Sequence, residues 1–420
     1  MQEQPSKFAA FIGIDWADRK HDVCLQVAGA DTFEKSVIEH RPTVIDTWAR
    51  NLRKRFDGRP IAVCLELSQG PIVSALLEHD FFVIFPVNPA SLAKYRRTFT
   101  PSGAKDDPTD AFLAVDFFHR HFERLAPLRR ERPAMRALQR FVHDRRMLVE
   151  DRSRLINRVT YALKEYFPQV LDWFRDKHTD VFVDFVTRWP TLSAVQRAHC
   201  DTVVDFFHQH NVRRKNVIER RLDAIKTARA LTSDPAVIEP NRLVAEAHLA
   251  QIAALSQAID RFDAEIATRC SELPDFKIFA SFPGAAAVMA PRLLAAFGEQ
   301  RDRFPTAASM QKYGGIAPVV ERSGKKSWTH WRFICPKFLR QTFVEWVGET
   351  IPLSFWAKAF YERQRAKGSS HNAAIRALAF KWIRILWRCW TDRQPYDETR
   401  YLLTLQKRHS PVVALAATTS

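Results

Sequence analysis

Four carboxylates stand at positions where a fold can gather them into one site. Asp15 closes the first apolar run of the chain, and Glu66 directly follows the apolar residues 61–65. Asp107 and Asp110 are one helical turn apart, so on a helix they share a face. Carboxylates brought together repel one another, and a hard divalent cation such as Mg²⁺ or Mn²⁺ compensates that repulsion. Two such ions about 4 Å apart can stabilise both the attacking and the leaving oxygen of a phosphodiester displacement.

Taken one at a time, these carboxylates also suit ordinary structural roles. Solvated carboxylates are common at strand ends, and Asp107 before Pro108 is typical of a helix N-terminus. What favours a metal site is the order of the four carboxylates along the chain: one ends the first strand, one follows a later apolar strand, and two lie at the start of a helix.

The elements that must position these residues are those of an α/β domain. Residues 8–15 form a short apolar run and residues 21–27 alternate with the period of a strand, which predicts a hairpin around residues 17–20. A third strand at 32–39 follows. The remaining predicted elements are helices at 41–50, 71–79 and 107–121 and strands at 61–65 and 81–87. Three strands followed by alternating helices and strands indicate an α/β domain with a mixed sheet.

Long helices are predicted after this domain. Residues 129–167 are rich in arginine with apolar residues at helical spacing, and residues 241–273 contain no Gly or Pro. These two helices could pair as an antiparallel or an intermolecular coiled coil. Residues 172–237 have a helical, basic pattern. We therefore expect an α/β domain at 1–125, a basic helical and coiled-coil-like region at 126–275, and a mainly α-helical C-terminal domain at 276–420.

The charge of the chain favours a polyanionic partner such as nucleic acid. Lys and Arg outnumber Asp and Glu by 64 to 47, which gives a net charge of +17. No stretch approaches the ~18 consecutive apolar residues of a membrane helix, so no membrane partner is expected. The six cysteines are far apart with no CxxC pair, which argues against a zinc or redox site and predicts buried thiols in a cytoplasmic protein.

With these motifs the chain resembles the DEDD transposases of insertion sequences, the class described as bridge-RNA-guided recombinases. The matching segments are Gly13-Ile-Asp15, Leu65-Glu-Leu-Ser68 and Lys105-Asp-Asp-Pro-Thr-Asp-Ala111. Asp106 stands where Thr is usual and Pro108 separates the two aspartates, but neither change removes a carboxylate. The resemblance implies a ribonuclease-H-like N-terminal domain that holds Mg²⁺ or Mn²⁺ on Asp15, Glu66, Asp107 and Asp110.

The resemblance resumes in the C-terminal part, at Phe282-Pro-Gly284, Tyr313-Gly-Gly-Ile-Ala-Pro318 and Arg322-Ser-Gly-Lys325. It implies that Ser323 is a nucleophile, whose hydroxyl can attack a phosphodiester when cations stabilise the developing charge. Without the family, Ser323 is a turn serine before glycine. The cations expected to contact nucleic acid are Lys105, Lys325, Lys326, Arg332 and Arg340.

Two further C-terminal features have both a binding and a packing interpretation. Residues 328–332, 338–342 and 376–390 interleave aromatic and cationic residues, which suits base stacking and phosphate pairing. Tryptophans at helical spacing, as at Trp382, Trp387 and Trp390, are more often core residues. The Pro283-Gly284 pair is compatible with a helix-hairpin-helix turn facing a phosphate, or with a turn that caps a core helix.

The sequence therefore predicts an insertion-sequence transposase that cuts and rejoins DNA. The resemblance also implies a transient phosphoserine bond to DNA, a homodimer or homotetramer whose subunits share the sites, and a structured non-coding guide RNA. Two alternatives stay open. A hydrolytic nuclease of the Holliday-junction-resolvase kind would use metal-activated water and would not need Ser323, whereas a non-catalytic RNA- or DNA-binding protein would need neither metal nor carboxylates.

Overall fold

A computed structural model describes residues 7–99, 107–324 and 326–410, except for the side chain of Asp107. The chain divides into two compact units, the first ending at Arg130 and the second beginning at Glu131. Within the described residues, no helix is long and apolar enough to cross a membrane.

The first unit is built on a five-stranded mixed sheet. Its strands are β1 Ala10–Asp15, β2 Lys20–Val27, β3 Phe33–Glu39, β4 Ile61–Leu65 and β5 Phe82–Pro86. Its helices are α1 Pro42–Arg55, α2 Pro71–Leu76, α3 Pro89–Phe99 and α4 Asp107–His121. The strand order is β3-β2-β1-β4-β5, with the first three strands antiparallel and β1, β4 and β5 parallel. The predicted mixed sheet and ribonuclease-H-like α/β fold are confirmed.

Both faces of this sheet are covered by helices. In β4, Val63 packs on the face of α1 and α2, and Ala62 and Cys64 pack on the face of α3 and α4. All five residues of β4 are buried for this reason, as is usual for a parallel strand between two helical layers.

The second unit is helical around two hydrophobic cores. Its helices are α5 Pro133–Tyr166, α6 Gln169–Trp173, α7 Asp180–Arg188, α8 Leu192–Gln196, α9 Cys200–Gln209, α10 Lys215–Thr227, α11 Pro235–Ser271, α12 Phe276–Ala280, α13 Ala286–Phe297, α14 Ala307–Tyr313, α15 Lys337–Thr350, α16 Phe355–Ala366, α17 His371–Asp392 and α18 Glu398–Lys407. The long helices α5 and α11 pack antiparallel: Arg145 pairs with Asp263, and Arg152 contacts Ser256. One end of this helix pair joins the core of α6–α10, and the other joins the core of α12–α18.

Three expectations about local structure need correction. The helix α11 begins at Pro235 rather than at residue 241 because the Asp234 side chain caps it, and the helix continues through Pro240. Cys200 is exposed and Cys335 and Cys389 are only partly buried, so the expectation of buried thiols holds for the other three cysteines alone. The helical C-terminal part also contains a hairpin that was not predicted, formed by β6 Val319–Ser323 and β7 Lys326–His330.

Candidate active site

The positions of Asp15 and Glu66 are neighbours at one edge of the first sheet. Asp15 is the last residue of β1, and Glu66 directly follows β4. These strands are parallel, and their register pairs Ile14 with Leu65, the residues just before the two carboxylates. Adjacent strands lie about 4.8 Å apart, so the two side chains start from neighbouring backbone positions.

Gly13 brings α4 up to the same edge. A Cβ on Gly13 would lie only 2.0 Å from the carbonyl oxygen of Ala111 and 3.0 Å from a methyl group of Val115. The helix thus approaches β1 more closely than any other residue at position 13 allows. Ala111 follows Asp110 directly, so the first turn of α4, with Asp107 and Asp110, lies beside the strand that ends at Asp15.

The Asp110 carboxylate is buried and is held by an arginine that sequence reasoning missed. Asp110 is 3% exposed, and its two oxygens accept hydrogen bonds of 2.5 and 2.7 Å from Nε and a terminal nitrogen of Arg96 on α3. The Arg96 side chain is 15% exposed. A bidentate pair of this kind fixes both the position and the orientation of the carboxylate. In the sequence, Arg96 and Arg97 look like ordinary surface cations at the end of a short segment.

The strand next to the acidic edge adds a buried carboxylate and a buried histidine. Asp22 on β2 is buried opposite Asp15 in the antiparallel register. The neighbouring His21 is also buried, and its Nε2 lies 2.9 Å from Nδ1 of His40. Burial, and secondarily the proximity of His40, lower the pKa of His21 to about 4, so it brings no positive charge to this edge at neutral pH.

The donor chemistry of these positions suits a hard cation, since carboxylate oxygens are the ligands that Mg²⁺ and Mn²⁺ prefer. Among the side chains that the structure describes, no group of three or more His, Cys, Asp and Glu residues is close enough to hold a metal ion. The Asp107 side chain lies outside that search, and Lys105 lies outside the described residues. The backbone positions fit a carboxylate site, while Asp110 is engaged by Arg96.

Ser323 lies at the end of an exposed hairpin in the second unit. It is the last residue of β6 and pairs with Lys326, the first residue of β7. Both residues are exposed, and Gly324 takes a positive φ of 55° in the turn between them. Lys325 lies outside the described residues. The hairpin therefore presents a hydroxyl and a cation to solvent together.

One ion pair supports the hairpin behind Ser323. Nε2 of His330 lies 2.7 Å from a carboxylate oxygen of Glu321, and the Trp328 indole donates to the other oxygen at 3.0 Å. Hydrogen bonding to Glu321 and to the Trp331 carbonyl raises the pKa of His330. The contact between Glu321 and His330 links β6 to β7.

The other predicted C-terminal cations lie just beyond β7. Arg340 on α15 donates to the carbonyl oxygen of Arg332 at 3.2 Å, and its guanidinium lies 5.2 Å from the ring centroid of Trp331. Arg332 lines a cavity next to the hairpin. The tryptophans of α17 have the packing role: Trp382 and Trp390 are fully buried, and the Trp387 indole donates to the Phe304 carbonyl.

The Pro283-Gly284 turn also packs inside the second unit. Gly284 has a φ of +69°, and a Cβ there would lie 2.8 Å from Cβ of Glu349. The Pro283 carbonyl accepts a hydrogen bond from the Trp346 indole. These contacts favour the capping turn over a phosphate-facing one.

Two protein-family models match the chain, and each covers one of the two candidate sites. A transposase model of the IS110 DEDD type matches residues 12–168, which include Asp15, Glu66, Asp107 and Asp110. A model described as the transposase IS116/IS110/IS902 family matches residues 276–362, which include Ser323.

Curated relatives match over most of the chain. The chain is 29% identical to the mini-circle putative transposase for IS117 from Streptomyces coelicolor, over 93% of this chain and 96% of the relative. It is 23% identical to the uncharacterized 44.8 kDa protein of insertion element IS116 from Streptomyces clavuligerus, over 91% and 95% of the two chains. A putative transposase y4uE from Sinorhizobium fredii is 29% identical over 49% of this chain and 57% of its own length.

Proposed function

We infer the function of this chain from its homology to the IS110/IS116 family of transposases: it is a transposase, an enzyme that cuts and rejoins DNA. The observation that carries this conclusion is that the two family matches coincide with the two candidate sites, the acidic sheet edge and the serine hairpin.

The first part of the proposed mechanism is a metal site on Asp15, Glu66, Asp107 and Asp110. DEDD nuclease-like transposases are usually metal-dependent, and the convergence of β1, β4 and the first turn of α4 supports such a site here. When bound, Mg²⁺ or Mn²⁺ would stabilise negative charge on the phosphodiester oxygens. Arg96 holds Asp110 in one orientation, so this carboxylate is already ordered.

The second part is a covalent step at Ser323. The serine oxygen attacks a backbone phosphorus and loses its proton, a phosphoserine ester forms, and the P–O bond to one DNA strand breaks as the leaving oxygen takes up a proton. A hydroxyl of another strand reverses these steps and rejoins the DNA. The exposure of Ser323 and the neighbouring cation Lys326 support this role, because the attacked phosphate must reach the hydroxyl from solvent.

The third part concerns partners. We propose that the chain acts as a homodimer or homotetramer, so that the acidic edge and the serine hairpin of one complete site come from different subunits. A structured non-coding RNA would select the DNA sites. The arginine-rich α5 and the cluster Arg213-Arg-Lys215 offer positive charge for such an RNA backbone.

One experiment separates this mechanism from its alternatives. Purified protein with its co-purifying RNA is incubated with a DNA junction and Mg²⁺, and a denaturing gel shows whether DNA becomes linked to protein. We expect an adduct with the wild type and none with Ser323→Ala or Asp15→Asn. Ser327→Ala on the same exposed hairpin and Asp18→Asn just beyond β1 are matched controls that should keep the adduct.

Other outcomes would identify the two alternatives. Metal-dependent cutting that survives Ser323→Ala would replace the covalent mechanism with a hydrolytic one. Binding without any cutting, unchanged by Asp15→Asn, would indicate a non-catalytic nucleic-acid-binding protein.

A further inference from the structure

A cavity of about 570 Å³ opens beside the serine hairpin in the second unit. Thr329 and His330 at the end of β7 form part of its wall. Its volume falls within the roughly 300–1,000 Å³ of pockets that bind small ligands. Ile316, Phe360 and Phe380 give it an apolar side.

Three cations line the cavity beside these apolar residues. Arg332, Arg376 and Lys381 line it, and none of them has a carboxylate partner among the residues that the structure describes. Other arginines of this unit differ: Arg292, for example, pairs with Glu345 at 2.7 Å. Nε of Arg332 is buried without a hydrogen-bond partner, which is costly for a charged group and points to a missing acceptor.

Aromatic rings hold two of these cations in place. The Arg376 guanidinium lies 3.7 Å from the ring centroid of Trp331, and the Lys381 ammonium lies 4.5 Å from that of Phe360. Burial lowers the pKa of both side chains, since water is removed with no anion to replace it. Such a pocket is preorganised for a ligand that is anionic at one end and flat and apolar at the other.

We propose that this cavity binds one unstacked nucleotide of a single-stranded nucleic acid, with its base against Ile316 and Phe380 and its phosphate on Arg332, Arg376 and Lys381. A free inorganic anion would leave the apolar wall unused, and an acidic peptide would offer no flat ring. The proposal deepens the proposed function and rests on it for one point only, that a nucleic acid strand passes the serine hairpin.

The position of the cavity sets the distance between the bound nucleotide and Ser323. His330 pairs with Val319, and Ser323 lies four residues further along β6. At about 3.4 Å per residue, Ser323 is therefore about 14 Å along the strand from the position opposite His330. A nucleotide held in the cavity would anchor the strand a short distance from the proposed nucleophile.

The test is a binding measurement on the full chain in EDTA, without any chemistry. Fluorescence anisotropy gives the Kd for a labelled eight-nucleotide pyrimidine strand, in one arm as DNA and in the other as RNA. We expect Arg376→Ala to raise the Kd at least tenfold, and a wholly abasic strand of the same length to bind the wild type at least tenfold more weakly. The matched control is Arg388→Ala, an exposed arginine of the same helix outside the cavity, which should change the Kd less than twofold.

Several results would overturn the proposal. An equal loss with Arg376→Ala and Arg388→Ala, or equal affinity for the abasic strand, would leave only non-specific attraction between charges. If Arg376→Ala does not fold, Lys381→Gln takes its place with the same expected loss. The tighter of the DNA and RNA arms identifies the source of the nucleotide.

This test and the adduct experiment fail independently. Ser323→Ala and Asp15→Asn should bind the short strand as the wild type does, because neither residue lines the cavity. If the wild type forms no adduct but binds the short strand as expected, the covalent mechanism is rejected and the nucleotide site is supported. If the wild type forms the adduct but the binding test fails, the nucleotide site is rejected and the covalent mechanism is supported.

Discussion

At the scale of single residues, the pair between Asp110 and Arg96 is the most constrained feature of the acidic edge. The carboxylate is almost completely buried, and both of its oxygens accept from one guanidinium. Removing one partner of such a pair leaves a buried charge without compensation, which typically costs about 3–5 kcal/mol. Arg96 thus stabilises the fold at the same carboxylate that the proposed metal site uses.

We predict that Arg96→Ala destabilises the first unit by about 3 kcal/mol, because Asp110 is then buried alone. Arg97→Ala, at an exposed position next to it, should change stability by less than about 0.5 kcal/mol. Amide hydrogen exchange in α4, measured by mass spectrometry, reports the local free energy of opening. Equal exchange in the two variants would show that the pair contributes nothing to stability.

The acidic residues and Arg96 show which parts of the candidate site can be predicted from the sequence and which cannot. The positions of Asp15, Glu66, Asp107 and Asp110 follow from strand ends and helical spacing, and the structure gives their backbone the neighbouring places that the pattern predicts. Arg96 could not be found this way, because its partner is 14 residues away on another helix and no local pattern relates them.

At the scale of elements, the contact between β1 and α4 decides where the acidic residues lie. The bounds of α4 are those predicted from the sequence, since the helix starts at an aspartate before proline and keeps its apolar spacing to residue 121. The hairpin of β6 and β7 was missed because nearly all its residues are exposed, so hydrophobic alternation gives no signal. Elements that face a core are predictable, and those that face a ligand or solvent are less so.

We predict that Gly13→Ala displaces α4 and abolishes DNA cutting. The added methyl group would meet the Ala111 carbonyl at 2.0 Å, a backbone atom that can move only with its helix. Overpacking of this kind costs about 1–3 kcal/mol, and it shifts Asp107 and Asp110 away from Asp15.

Gly348→Ala is the control for that experiment, because nothing lies within 4 Å of its added Cβ and the residue is inside α15. It should leave cutting intact and stabilise the protein by up to about 1 kcal/mol. Cutting is measured with the DNA junction, and exchange of α4 amides reports the displacement. Full activity of Gly13→Ala would show that α4 need not approach β1 so closely.

At the scale of the whole molecule, nearly all of the net positive charge lies in the second unit. Up to Arg130 the chain has 18 Lys and Arg against 17 Asp and Glu, and from Glu131 onward it has 46 against 30. Of the net charge of +17, the second unit therefore carries +16. The first unit, nearly neutral and with an acidic edge, has little electrostatic attraction for a phosphate backbone, so we expect the second unit to provide most of the affinity for nucleic acid.

The salt dependence of DNA binding by the intact chain tests whether the second unit provides most of the affinity. Arg213 and Arg214 are exposed in the second unit, and their joint replacement by Gln should reduce the slope of log K against log salt concentration for duplex DNA by up to about 2, close to one unit for each phosphate that the protein no longer neutralises. The control replaces three arginines of α1 in the first unit, Arg50, Arg53 and Arg55, which pair with Asp46, Asp80 and Glu34. Their replacement should leave the slope unchanged, because each neutralises a carboxylate of the protein rather than a phosphate. If the slope falls as much in the α1 variant as in the other, nucleic acid binds across the first unit as well, and the charge distribution does not direct it.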